Sequence, residues 1–141
     1  MSRAIGLCCA VLLALSPAAR ADDWKDLKGT WKVEKAVFMG NDSTAVFGTA
    51  VLTIDEGKYT MAFGGMEDKG TLKLDTAKSP KQMTIVSTVG TNKDKTFRAI
   101  YEGSGDTLKV CYDLDGKDAP AKFESKEGTN TLFVTYKRDK K

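Results

Sequence analysis

The sequence predicts an all-β domain: an antiparallel, up-and-down β-barrel of about eight strands, entered through a short N-terminal helical turn. Three observations carry this. Apolar residues recur with period two through most of residues 29–138, the alternation of a half-buried strand. Turn-forming residues separate these runs at short intervals, which joins neighbouring strands as antiparallel hairpins. No stretch shows the apolar period of a long helix, and strands that simply follow one another favour a closed meander over a sandwich.

The strands are preceded by a leader. Residues 1–3 are short and basic, residues 4–15 form an almost unbroken apolar run, and Ala19-Arg20-Ala21 has the A-x-A form of a signal-peptidase site. A helix needs roughly 20 apolar residues to span a bilayer, so this run is expected to be a signal peptide, residues 1–21, and not an anchor. Cys8 and Cys9 lie inside the run and not at its end, which argues against lipid attachment. The expected mature domain is residues 22–141, exported to the periplasm, cell envelope or medium, with no membrane anchor after cleavage. Removing Arg3 and Arg20 takes the 22 basic residues to 20 against 19 acidic ones, so the formal charge falls from +3 to +1. The charges are interspersed and form no basic stripe, so nucleic acid is not an expected partner. Cys111 is then the last cysteine, and core packing must hold the fold without an internal disulfide.

The elements follow in order. Residues 22–27 can form a helical turn with Trp24 and Leu27 on one side. Trp31, Val33 and Val37 are expected on one face of the first strand, and residues 40–48 as a flap behind it. Leu52 and Ile54 come next, then Tyr59, Met61 and Phe63 after the Glu56-Gly57 turn. Gly64-Gly65 turns the chain towards Leu72 and Leu74. Met83 and Ile85 follow Ser79-Pro80. Phe97, Ala99 and Tyr101 alternate with Arg98 and Ile100; after the turn at residues 103–106, Leu108, Val110 and Tyr112 alternate with Lys109, Cys111 and Asp113. Asp115-Gly116 reads as a further hairpin turn, and Leu132, Val134 and Tyr136 close the set.

The stretch "LKGTWKV" (residues 27–33) has the G-x-W form with which lipocalin-like barrels begin, the glycine turning the chain in and the indole plugging the closed end. With "SPKQMTI", "AIYEGSGDTLKVCYDLDGKDAPAKF" and "LFVTYKR", the chain resembles a lipocalin-like domain family of unknown function abundant in planctomycete bacteria. The resemblance rests chiefly on the run from Tyr101 to Tyr112, then on Pro120 and Phe123, then on Tyr136-Lys137-Arg138. It implies the barrel and export, and no reaction. Two positions depart from the family's pattern: Ala119 stands where an arginine often precedes the proline, and Thr84 where an aspartate is common. A contact made by those charges in relatives does not carry over here.

Alternation along the last strand puts Leu132, Val134, Tyr136 and Arg138 on one face, and a closed meander brings first and last strands together. The Arg138 guanidinium is therefore expected over the Trp31 indole, with Gly29 beside them as the structural closure of the barrel, an arrangement that the lipocalin resemblance also implies.

No histidine occurs, which removes Ser-His-Asp and Cys-His chemistry and the usual zinc sites. Glu56, Glu67, Glu102 and Glu124 lie at turns or strand ends and read as solvated charge. Residues 113–118 bring three aspartates together but lack the spacing and distal glutamate of a calcium loop, so a turn explains them better. Cys111 is expected to be an unpaired, outward-facing, half-buried strand residue without a catalytic role. Neither a catalytic residue, a metal site nor a cofactor is expected. The candidate ligand-binding residues are the inward Tyr59, Met61, Phe63, Phe97, Tyr101, Tyr112 and Tyr136, whose hydroxyls could orient a guest. Their bulk equally fits a small barrel filled by its own side chains. The expected function is a non-enzymatic, monomeric binding module that holds a small apolar or amphipathic ligand. The alternatives are a filled-barrel interaction module of the cell envelope and, third, an enzyme.

Overall fold

The computed structural model describes residues 21–140, so the expected signal peptide, apart from Ala21, lies outside the described residues. The elements run α1 (Ala21–Leu27), β1 (Gly29–Phe38), β2 (Asn41–Asp42), α2 (Thr44–Phe47), β3 (Val51–Asp55), β4 (Lys58–Phe63), β5 (Met66–Asp75), β6 (Gln82–Val89), β7 (Thr96–Ser104), β8 (Thr107–Asp113) and β9 (Thr131–Arg138). From β3 to β9 each strand pairs antiparallel with the next; β1 pairs with β3 on one side and with β9 on the other. The result is a closed eight-stranded barrel, to which the two-residue β2 adds a small hairpin on β1. Closure leaves no long free edge in the ladder.

Period-two alternation translates directly into burial. Leu52, Ile54, Tyr59, Leu72, Leu74, Met83, Ile85, Leu108, Val110, Val134 and Tyr136 are all buried on the inner face. The glycine turns behave as the chemistry requires: Gly57, Gly64, Gly65 and Gly105 all have positive φ between 60 and 81° in the tight hairpins β3–β4, β4–β5 and β7–β8.

Four local expectations are corrected. Val37 does not share a face with Trp31, because a bulge between Val33 and Lys35 inserts one residue opposite β9 and reverses the phase; Ala36 goes inward, fully buried, in its place. Residues 40–48 are not a simple flap: β2 and α2 fold back onto β1, where the Ala36 N–H donates to Thr44 Oγ1 at 3.0 Å. Asp115-Gly116 does not close a hairpin, since β8 and β9 are joined by the whole of residues 114–130. The Asp113 carboxylate accepts the backbone N–H groups of Asp115, Lys117 and Asp118 and so only starts this connection. Finally, Cys111 is not half-buried, because the outer face around it is covered. Ile100, Cys111 and Phe133 are cross-strand neighbours on it, and residues 114–130 lie over them: Phe123 packs on Phe133 with ring centroids 6.0 Å apart, and Cys111 Sγ donates to the Glu124 carbonyl at 3.3 Å. Cys111 does point away from the barrel interior and is unpaired, yet it is fully buried, not half-exposed.

One end of the barrel is sealed. Trp31 is 1% exposed and its Nε1–H donates to the Leu27 carbonyl at 2.8 Å, which ties the plug to the end of α1. Arg138 is the direct cross-strand partner of Trp31, and its guanidinium carbon lies 4.2 Å from the indole centroid. Its two terminal nitrogens donate to the Lys28 and Asp26 carbonyls at 2.7 and 2.6 Å, and Asp106 sits 3.5 Å from Nε. On the far side of α1, Asp23 accepts from Lys81 Nζ at 3.0 Å and from the Tyr101 hydroxyl at 2.9 Å.

Candidate functional site

In an antiparallel meander alternate connections fall at the same end. The connections β1–β3, β4–β5, β6–β7 and β8–β9 therefore gather opposite the tryptophan plug. Between them the barrel interior opens as a cavity of about 600 Å³. Of the two readings that the bulk of the inward side chains left open, a cavity and a filled interior, the cavity is the one found. Two features keep the space open. Gly70 and Ala50 stand at inward positions where larger residues would project, and the Tyr59 ring lies against Gly70, where a Cβ would come within 2.8 Å of it.

The walls are mainly apolar. Leu52, Ile54, Leu72, Met83, Ile85 and Val110 line the deep part, and Val33, Leu132 and Val134 the β1–β9 side. Towards the mouth, Phe47 of α2 stacks on Phe63 with centroids 5.8 Å apart and meets Phe38 edge-on at 6.3 Å. Among the described residues, the large apolar side chains left exposed, Met39, Val46, Phe63, Met66 and Val89, all belong to this open end.

Six of the seven candidate ligand-binding residues line this space: Tyr59, Met61, Phe63, Phe97, Tyr112 and Tyr136. Tyr101 does not. Although it alternates inward with Phe97 and Ala99, it lies far enough along β7 to fall at the sealed end, where its hydroxyl is bound by Asp23 under α1. Gly29, Trp31 and Arg138 form the closure described above and stand apart from the cavity.

Two polar features interrupt the apolar wall. On β4, β5 and β6 the cross-strand row Tyr59–Gly70–Ser87 faces inward, and both hydroxyls donate to one carboxylate, Tyr59 to Asp68 Oδ2 at 2.9 Å and Ser87 to Asp68 Oδ1 at 2.5 Å. Burial, together with the neighbouring Asp68, pushes the Tyr59 phenol up to about 12. Across the cavity the Tyr112 and Tyr136 hydroxyls lie 2.7 Å apart. Burial drives both well above the ordinary tyrosine value, so both phenols stay neutral. At the mouth, Glu67, Thr91, Asn92, Lys95 and Asn130 supply solvent-accessible polar groups.

Asp68, Ser87 and Phe47 were not among the sequence candidates. Asp68 and Ser87 were findable, because Asp68 shares the period-two phase of Leu72 and Leu74, and Ser87 that of Met83 and Ile85. Phe47 carried no such signal, since it comes from a four-residue helix in a loop.

The chemistry available is that of binding. Cys111 faces away from the cavity, and burial raises its thiol to about 11, so it is no thiolate at neutral pH. Among the described residues no group of three or more His, Cys, Asp or Glu is placed to hold a metal ion, and no helix is long and apolar enough to cross a membrane.

Neither a family model nor a curated protein matches this chain. Among solved structures, the chain is similar to the crystal structure of a DUF4847 family protein from Bacteroides vulgatus ATCC 8482, with a TM-score of 0.50 at 14% identity over 82% of this chain and 95% of that one. What the likeness carries is the barrel. At that identity it reaches the fold alone, so the reading of the site rests on the cavity.

Proposed function

We propose that this protein is an exported, non-enzymatic and monomeric binding module that holds a small apolar or amphipathic molecule inside its barrel, in keeping with the resemblance to the lipocalin-like family abundant in planctomycetes. The observation that carries this reading is the cavity of about 600 Å³, with an apolar wall and few polar groups, sealed at one end and open at the other. Small-molecule sites commonly have volumes of about 300–1,000 Å³ and this same balance of apolar wall and convergent polar groups. Phe47 and Phe63, which line the cavity and stack on one another, offer an apolar guest an aromatic surface at the mouth. A catalytic role has less behind it: the chain has no histidine, the thiol is buried, and the Asp68 carboxylate is occupied by two hydroxyls.

Titration with the uncharged fluorophore N-phenylnaphthylamine tests this, alongside native mass spectrometry of protein purified from its own host. Saturable binding is expected, one molecule per chain. Met61→Trp, which places an indole in the cavity, should weaken it by about tenfold or more. Fluorescence that rises without saturating, or that ignores Met61→Trp, would count against a ligand carrier.

A further inference from the structure

The Tyr112–Tyr136 pair has a property that the apolar wall lacks. Two hydroxyls carry two hydrogens, and the 2.7 Å contact between them uses one. Neither hydroxyl has another protein partner among the described residues, although both tyrosines line the cavity and Tyr136 is 1% exposed. The pair therefore presents one unmatched O–H donor in a mainly apolar space, where an unpaired donor is unfavourable. The hydroxyl that donates inward also accepts from its neighbour, which polarises it and strengthens its own donation.

The remaining inner polar groups differ. The Tyr59 and Ser87 hydroxyls both donate to Asp68, so that side of the cavity presents a negative charge whose donors are already engaged. The one cation among the lining residues, Lys95, is exposed in the β6–β7 connection at the mouth. A carboxylate drawn down to the tyrosine pair would be desolvated with no cation beside it and with Asp68 on the opposite wall. An uncharged acceptor oxygen meets neither cost.

We infer that the Tyr112–Tyr136 hydroxyl pair is a recognition point for an uncharged acceptor oxygen, so that the guest class is neutral, largely apolar molecules bearing a carbonyl, ester or hydroxyl oxygen, and not fatty-acid-like anions. This rests on the carrier reading above and assigns the chemistry of its deep contact. Both phenols remain protonated at neutral pH, so the donor is present under all ordinary conditions.

The test uses a matched series of butylbenzene, butyrophenone and phenylbutanoate, each displacing N-phenylnaphthylamine from the wild-type protein and from the Tyr112→Phe/Tyr136→Phe double variant. Removing both partners of a hydrogen-bonded pair while keeping their shape is close to neutral for folding, and this pair is only part-buried, so the double variant should remain a folded barrel. Butyrophenone is expected to lose roughly three- to tenfold in affinity on the double substitution, the range of one net hydrogen bond. Butylbenzene should change by less than about twofold. In the wild-type protein butyrophenone should outcompete phenylbutanoate. Independently of any variant, the carbonyl stretch of bound, isotope-labelled butyrophenone should fall below its value in hexane. Loss of butyrophenone and butylbenzene to the same extent, no loss of either, tighter binding of phenylbutanoate, or a hexane-like carbonyl stretch would each overturn the inference while leaving the carrier reading intact. Absence of N-phenylnaphthylamine binding to the wild type would overturn the carrier reading and the inference together. Should the double variant fail to fold, the carbonyl stretch in the wild-type protein decides.

Discussion

Gly29 begins β1 at φ +135°, and a Cβ there would stand 2.7 Å from Arg138 Nη1. The glycine thus has two roles, a backbone conformation that L side chains rarely adopt and an open place for the guanidinium over Trp31. Arginine suits the far side of the contact, because one planar cation stacks on the ring while two of its N–H groups serve the Asp26 and Lys28 carbonyls at the end of α1. Lysine would keep the charge and lose both the stack and the fork. Arg138→Lys is therefore expected to cost about 1–3 kcal/mol in urea unfolding, and Trp31→Ala, which empties the plug, about 3–5 kcal/mol. If Arg138→Lys proves neutral while Trp31→Ala is costly, the indole alone closes the barrel and the guanidinium is ornamental.

At the scale of the strands, the β4–β5–β6 wall depends on one residue without a side chain. Gly70 pairs with Tyr59 on one side and Ser87 on the other. A Cβ on it would meet the Val86 carbonyl oxygen at 2.0 Å and Ser87 Cα at 2.9 Å, both backbone atoms that cannot rotate away. Gly70→Ala should therefore force the strands apart and cost about 1–3 kcal/mol, the usual range for overpacking. It should also displace the Tyr59 ring and weaken N-phenylnaphthylamine binding. Gly103→Ala on β7 is the control, since a Cβ there would meet nothing within 4 Å and the residue's φ is unexceptional; it should stay within about 0.5 kcal/mol of wild type. Equal melting temperatures for the two alanine variants would show that the strands yield at Gly70 without cost.

For the molecule as a whole, all four tyrosines carry phenols raised above their ordinary value, chiefly by burial, with Tyr59 at about 12. The sign follows from the protonation states. An unfolded tyrosine releases its proton near pH 10, so above that pH the unfolded chain binds fewer protons than the folded one, and stability falls as pH rises. The stabilisation is complete below about pH 10 and is lost as pH climbs through the folded values. Cys111, raised to about 11, acts in the same direction. Alkaline titration should therefore show phenolate absorbance and the loss of native tryptophan fluorescence appearing together in one cooperative step above about pH 10. Stepwise tyrosine ionisation near pH 10, with native fluorescence retained, would contradict the burial of these phenols.

Strand number, strand order and most of the inner face were legible in the sequence because period-two alternation is a local code: whichever strands pair, residues two apart face the same side unless a bulge intervenes. That same code, joined to closure of a meander, placed Arg138 against Trp31. It could not say how far along the barrel axis each inward residue would sit. Tyr101 and Tyr112 both face inward, yet one falls under α1 and the other in the cavity, because position along the axis depends on strand stagger and on bulges such as the one after Val33. Nor does alternation report what covers an outer face. The burial of Cys111 follows from residues 114–130 folding over β7, β8 and β9, a contact between segments that share no periodic pattern. Whether the inward side chains fill the barrel was also decided only in three dimensions. A cavity is the difference between the volume that closure encloses and the volume that rotamers occupy, and the placement of Tyr59 against Gly70 belongs to the second quantity, which no single residue's identity determines.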